Sequence, residues 1–177
     1  MPPKSSCLCS EHLLLKAICP EDADQVMDIL FHPDVGQTYM LPDFSEREKT
    51  RTLFERIMHL SLQNDRFVYG IYLQGILIGW INETEVSWPV VEVGYVIHPS
   101  FQNHGYATEA LKCAIGELFR MGCTCVRAGY FSENPASGRV MEKSGMHRTG
   151  KTEEITYRGK VHVCILCEIH KDACFCS

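Results

Sequence analysis

Between Val90 and Gly122 the hydrophobic pattern changes its period from two to about 3.6 across the short loop Gln102–Ala107. Few architectures accommodate that change. Upstream, Val91, Val93, Tyr95 and Ile97 fall on one side of a strand running Val90–His98, with Glu92 and Gly94 on the other. Downstream, Ala107, Ala110, Leu111, Ala114, Ile115, Leu118 and Phe119 recur at the spacing of one helix face, and Gly122 is placed to end that helix. A helix starting at such a loop aims unpaired backbone N–H groups and its positive dipole end at the turn. Gly105 permits either close approach of an anion or a positive φ, and Ala107 keeps the first turn small. The segment is an anion cradle suited to a pyrophosphate. It carries neither the Lys-Ser/Thr of a P-loop nor the three glycines of a dinucleotide fingerprint.

The remaining elements predict a mixed α/β domain. His12–Ala17 is a short first strand, and Pro20-Glu21-Asp22-Ala23 opens a helix to about Leu30, with proline in the first turn and acids at its positive end. Phe31–Phe44 is a loop or broken helix, and Ser45-x-x-Glu48 is a capping box for a helix through Gln63. Arg66–Leu73 and Ile76–Val86 form strands joined at Gln74-Gly75, and Cys123–Tyr130 is another. Asn134-Pro135 supplies an N-cap and first-turn proline for a helix closed by Gly145. Strands over Met146–Thr156 and Lys160–Glu168 turn at Arg158-Gly159. The order βααβββαβαββ predicts one strongly twisted mixed central sheet flanked by helices. We expect a single domain over residues 11–170, with tails at 1–10 and 171–177.

Charge and cysteine content narrow the partners. Seventeen basic against 22 acidic side chains give a net charge of −5, which argues against nucleic acid. No apolar run approaches the roughly 20 residues of a membrane helix, and the N-terminus lacks a signal-peptide core, so a cytoplasmic protein is expected. In that compartment the ten cysteines are expected to be reduced thiols. Cys7/Cys9 and Cys174/Cys176 form terminal Cys-x-Cys pairs that would chelate zinc only if the ends met, and alternation turns Cys164 and Cys167 to opposite sheet faces. No metal is expected in the site.

Gln102-x-x-Gly105-x-Ala107, following a strand that ends Glu-Val-Gly-Tyr-Val-Ile-His-Pro, resembles motif A of the GNAT superfamily of N-acetyltransferases. The run Glu92–Leu111 is similar to the branch containing the alanine and serine N-terminal acetyltransferases of ribosomal proteins. The likeness continues through Glu133–Ser137 and Glu142–Met146, and spans about residues 11–170. It implies a GNAT-like fold and direct acetyl transfer from acetyl-CoA to a primary amine of a protein N-terminus or small molecule. It further implies that Gln102, Asn103, His104, Gly105, Tyr106, Ala107 and Thr108 hold the pyrophosphate, and that backbone near Val96 and His98 pairs with the pantetheine arm like an added strand. An N–H near Val96 would then polarise the thioester carbonyl.

By the same resemblance Glu92 takes the usual carboxylate position, drawing the amine's proton through water or only orienting the amine. Asn134 lies beside the CoA arm, and Ser137 is a donor to the departing thiolate. Asn134 is equally an N-cap and Ser137 an ordinary residue of the first turn. Many family members carry a tyrosine one turn later, where this chain has Met141 and Glu142. Arg139 and Lys143 could reach phosphates. The acceptor would enter past Phe31–Phe44, Trp80–Trp88 and Tyr157–Lys160, where aromatics and the acids Asp34, Asp43, Glu83 and Glu85 suit a cationic amine. A monomer or homodimer is expected. The alternatives are a non-catalytic acyl-CoA-binding regulatory module and a thiol or metal sensor using the terminal cysteines.

Overall fold

The computed structural model describes residues 1–39 and 47–172. Among these the strands are β1 (Cys7–Cys9), β2 (Leu13–Lys16), β3 (Val68–Leu73), β4 (Ile76–Ser87), β5 (Val90–Ile97), β6 (Cys125–Phe131), β7 (His147–Tyr157) and β8 (Lys160–His170). The helices are α1 (Ala23–Phe31), α2 (Pro33–Thr38), α3 (Arg47–Leu62), α4 (Tyr106–Arg120) and α5 (Pro135–Lys143). The strands form one sheet in the order β1-β2-β3-β4-β5-β6-β8-β7. Only β5 and β6 pair in parallel; the other neighbours are antiparallel.

Each face of the sheet has its own core. Val91, Val93, Ile97, Val126 and Ala128 meet Ala110, Leu111, Ala114, Ile115 and Leu118 of α4, all buried in one cluster that also takes Met141 of α5. The opposite face packs Tyr72, Leu77, Trp80 and Val96 against Val26, Ile29 and Leu30 of α1, Val35 of α2 and Phe54 of α3. Each large side chain so buried contributes about 1.5–3 kcal/mol. Both tight hairpins have positive φ at their two turn residues, Gln74 (50°) with Gly75 (86°) and Arg158 (50°) with Gly159 (73°), as the twist of paired strands requires.

Two elements differ from the expected order. Within residues 1–10, Cys7–Cys9 pairs with β2 as an edge strand; three residues carry too little periodicity to announce it. In Phe31–Phe44, Pro33 takes the first helical position and the His32 side chain accepts from the Asp34 N–H, which starts α2. Ser45 and its capping box, Asp43, Phe44, Cys174 and Cys176 lie outside the described residues.

Lys4 anchors the start of the chain. Its Nζ donates to the carbonyls of Ser61 (2.8 Å) and Val68 (2.6 Å) and sits 4.5 Å from the Tyr69 ring centroid. Burial lowers its pKa from 10.5 to about 8, against the charge of Glu83, which raises it. Between those values the unfolded chain binds more protons than the native one, so this residue's contribution to stability rises with pH. Urea unfolding should show the protein gaining on the order of 2 kcal/mol relative to Lys4→Met between about pH 7 and pH 10. Parallel pH curves would show that Lys4 ionises as it does in water.

Candidate active site

The site begins where two strands part. β5 and β6 pair at Val90, Val91 and Glu92 against Cys125, Val126 and Arg127, and no further register follows. Beyond this point β5 continues to Ile97 and β6 to Phe131, leaving facing edges unmatched. A cavity of about 580 Å³ fills the splay. Its walls are β5 from Glu92 to Ile97, the loop and first turn of α4, Gly129–Phe131, and the start of α5.

Local sequence shapes the loop. Pro99–Phe101 forms a single 3₁₀ turn, capped by His98 Nδ1, which accepts from the Ser100 N–H at 3.2 Å. Gln102 Nε2 donates to the Ile97 carbonyl at 3.0 Å and ties the loop to the end of β5. Asn103 and Gly105 have φ of 64° and 89°. Gly105 is the N-cap of α4, no side chain caps the helix, and the Glu109 N–H is bonded to the Gly105 carbonyl. The first-turn N–H groups of Tyr106, Ala107 and Thr108 have no i−4 partner within the helix and face the loop. A Cβ at Gly105 would meet nothing within 4 Å, so glycine is needed there for its φ rather than for space.

Gln102, Asn103, Gly105, Tyr106, Ala107, Thr108, Asn134, Val96, Glu92 and Ser137 all line the cavity; His98 and His104 do not. The His98 ring lies 3.0 Å from Asp28, and the His98 backbone N–H donates to the Ile78 carbonyl at 2.8 Å. Trp80 is opposite Val96 in the antiparallel register, and the Val96 carbonyl is so close to Gly79 that a Cβ there would lie 2.1 Å from it. Backbone groups of alternate residues point to opposite edges of a strand. Val96 and His98 therefore bond toward β4, and the peptide groups of Tyr95 and Ile97 face the splay. His104 turns its Nδ1 to the Gln102 carbonyl at 2.7 Å and stacks on Tyr106.

Glu92 Oε1 accepts from Thr84 Oγ1 at 3.0 Å. Asn134 Oδ1 caps α5 by accepting from the Ser137 N–H at 3.3 Å. Ser137 Oγ lies 2.9 Å from the Tyr95 hydroxyl, which is also 3.2 Å from the Ser137 carbonyl. Tyr95, which alternation alone assigns to the core, also lines the cavity. Burial pushes its phenol well above the ordinary range, with the Ser137 hydrogen bond pulling the other way. Gly138 lets α5 sit directly on Tyr130, whose ring would be 2.6 Å from an added Cβ.

The cavity has two electrostatic ends. The α4 N-terminus, Arg139 and Lys143 form a positive end, whereas Asp34, Glu92 and Glu153 are acids of the lining. Glu92 and Glu153 both act on the Cys164 thiol, which burial first and then these charges push up to about 11. Tyr39, Asn82 and Thr84 complete the acidic end, with the Tyr39 hydroxyl donating to Asn82 Oδ1 at 2.9 Å. The tip of the β7–β8 hairpin is fastened beside it, since the Tyr157 hydroxyl donates to the carbonyls of Gly36 (3.1 Å) and Tyr39 (3.2 Å). Four of the residues expected at the acceptor side are elsewhere. Trp80 is 1% exposed in the core, Phe31 and Trp88 are outside the lining, and Glu83 is buried in an ion pair with Arg66 while accepting from the Phe67 N–H. Among the described residues no helix is long and apolar enough to cross a membrane.

Residues 12–147 match the family model described as an acetyltransferase (GNAT) domain. The chain is 23% identical over 154 residues to the uncharacterized N-acetyltransferase YoaA of Bacillus subtilis, covering 84% of this chain and 87% of that one. Its fold superposes on a GNAT-family acetyltransferase from Bacillus anthracis with a TM-score of 0.81 at 24% identity, covering 94% of this chain and 99% of that one. Against RimL, the ribosomal L7/L12 α-N-protein acetyltransferase solved with coenzyme A, the TM-score is 0.82 at 19% identity, over 94% and 99% of the two chains. The splayed strands, the glycine-opened helix and the family match over most of the chain agree: this protein belongs to the GNAT family of N-acetyltransferases, enzymes that take their acetyl group from acetyl-CoA.

Proposed function

We propose that this protein transfers the acetyl group of acetyl-CoA directly to a primary amine, with a protein N-terminus or a small cationic amine as acceptor, in the cytoplasm. The observation that carries this reading is the polarity of the cleft. An anionic donor suits the α4 N-terminus, and a cationic acceptor suits the acids around Glu92. The pyrophosphate lies on the N–H groups of Tyr106, Ala107 and Thr108, with Gln102, Asn103 and Gly105 shaping the turn. Pantetheine runs between β5 and β6 as an added strand against the free edge of β5. The peptide groups that meet it are those of Tyr95 and Ile97 rather than Val96 and His98, and the Tyr95 N–H polarises the thioester carbonyl. Asn134 sets the first turn of α5 beside the arm. Glu92 takes the amine's proton, and Ser137 with Tyr95 donates to the departing sulfur. The fold shared with RimL favours a protein N-terminus among the acceptors.

A thiol-release assay across peptides with free N-termini and a set of small amines tests this reading. Turnover on a peptide with a free N-terminus, lost when that terminus is blocked, supports it; acetyl-CoA binding without turnover on any amine would leave only a binding module. Gly105 tests the cradle separately. An L-residue at φ 89° is strained by about 1–2 kcal/mol, so Gly105→Ala should weaken acetyl-CoA by about tenfold in isothermal titration. Undiminished affinity would remove the pyrophosphate from this turn.

A further inference from the structure

The chemistry of the cleft leaves a second cluster unused, on the sheet face that carries Glu92 but at the end where β5 and β6 still pair. Cys125 on β6 lies directly opposite His170 on β8, and Glu168 is two residues before His170 on the same face. Cys125 Sγ is 3.9 Å from Glu168 Oε2 and 3.9 Å from His170 Nε2, and His170 Nε2 is 3.1 Å from Glu168 Oε1. All three potential ligand atoms lie within 4.8 Å of one another. Metal–sulfur and metal–nitrogen bonds of about 2.3 and 2.0–2.1 Å in a tetrahedral centre put ligand atoms about 3.3–3.6 Å apart. The observed separations bracket that range, so small side-chain shifts suffice to close the site.

We propose that Cys125, Glu168 and His170 bind a divalent transition metal of the zinc class, with a water completing the coordination. The donor set decides the class. A thiolate with an imidazole and one carboxylate selects zinc or cobalt over magnesium or calcium, which favour oxygen ligands throughout. Cys125 is 3% exposed, whereas Glu168 is half-buried and His170 exposed, so the ion enters from the His170 side and loses water against the thiol. The His147 ring stacks on His170 at 6.4 Å between centroids and steadies that ligand's orientation. One competitor is present: Arg127 Nε is 3.4 Å from Glu168 Oε2. Bound metal cross-links β6 to β8 at the closed end of the cleft and releases the Cys125 proton to solvent.

Cobalt(II) titration of chelator-treated full-length protein tests the site, because a cobalt–thiolate bond gives a charge-transfer band that zinc then removes. The expected result is one equivalent with that band, absent in Cys125→Ser. His170→Ala alters an exposed side chain without a folding hazard and should weaken cobalt at least as much as the about 10–100-fold that loss of an outer-sphere partner costs. Arg127→Gln should tighten it, which a nonspecific surface thiol would not reproduce. The cysteines after the described residues provide the control: C174S/C176S should keep the band. No thiolate band in the full-length protein, its survival in Cys125→Ser, or its loss in C174S/C176S overturns the assignment.

Discussion

Glu92→Gln is expected to lower kcat by about 100-fold or more at neutral pH while leaving acetyl-CoA affinity unchanged. The substitution keeps the shape of the side chain, and the glutamine carbonyl can still accept from Thr84 Oγ1, now 3.0 Å from the carboxylate. Stability should therefore stay within about 0.5 kcal/mol. What is lost is the only function glutamine lacks, the capacity to hold a proton from the incoming ammonium. The deficit should shrink as pH rises toward the acceptor's own pKa, because more amine then arrives neutral. An α-amine, at about 7.7–8.0, should recover near pH 8–9, and a side-chain alkyl amine, at about 10.4, only well above that. The pH at which variant and parent converge thus reports the class of acceptor. Equal kcat at every pH would show that Glu92 only orients the amine, and a matching rise in KM would locate that role in binding.

The sequence carried the part of this site that depends on local periodicity. The alternation Val91-Val93-Tyr95-Ile97 and the helical row from Ala107 to Phe119 met in one core, and the turns at Gln74-Gly75 and Arg158-Gly159 fell where positive φ was needed. Gly105 and the Asn134 cap were legible for the same reason: each is set by the few residues around it. What escaped depends on distant partners. Whether the peptide of Tyr95 or of Val96 faces the cleft follows from the register of β5 on β4, which no spacing within β5 encodes. Side-chain alternation put Tyr95 in the core correctly, yet its hydroxyl reaches Ser137, 42 residues away on α5, which covers the same sheet face. Trp80 and Glu83 looked like acceptor-side residues because aromatics and acids suit an amine, but the bulge between Glu83 and Glu85 and the ion pair to Arg66 serve the sheet instead. The Cys125, Glu168 and His170 cluster was invisible for a related reason, since β8 inserts between β6 and β7 and brings together residues over 40 positions apart.

The pairing of Tyr95 with Ser137 carries the second large effect. Tyr95→Phe and Ser137→Ala are each expected to reduce kcat by about 100-fold, with acetyl-CoA affinity nearly unchanged. The double variant should be little worse than either single one. With 2.9 Å between the hydroxyls, either can donate onward only if the other holds its proton in place, so the two act as one unit and their effects cannot add. Asn134 holds this geometry through the Ser137 N–H, and Asn134→Ala should reproduce part of the loss together with about 1 kcal/mol of helix stability. Burial raises the Tyr95 phenol above its ordinary value, so it stays protonated as a donor when pH climbs through about 10, where an exposed phenol would ionise. The departing thiolate, conjugate to a thiol of pKa about 8.5, is a weaker base than the Tyr95 phenolate, so full proton transfer from Tyr95 is uphill. In the proposed mechanism the pair would therefore stabilise the developing thiolate by hydrogen bonding, with the thiolate protonated afterwards from solvent. Two signatures follow for the parent enzyme: no fall in kcat between about pH 9 and 10, and a small solvent isotope effect on the acetyl-transfer step. Additive losses in the two variants would separate the hydroxyls and return Tyr95 to the core.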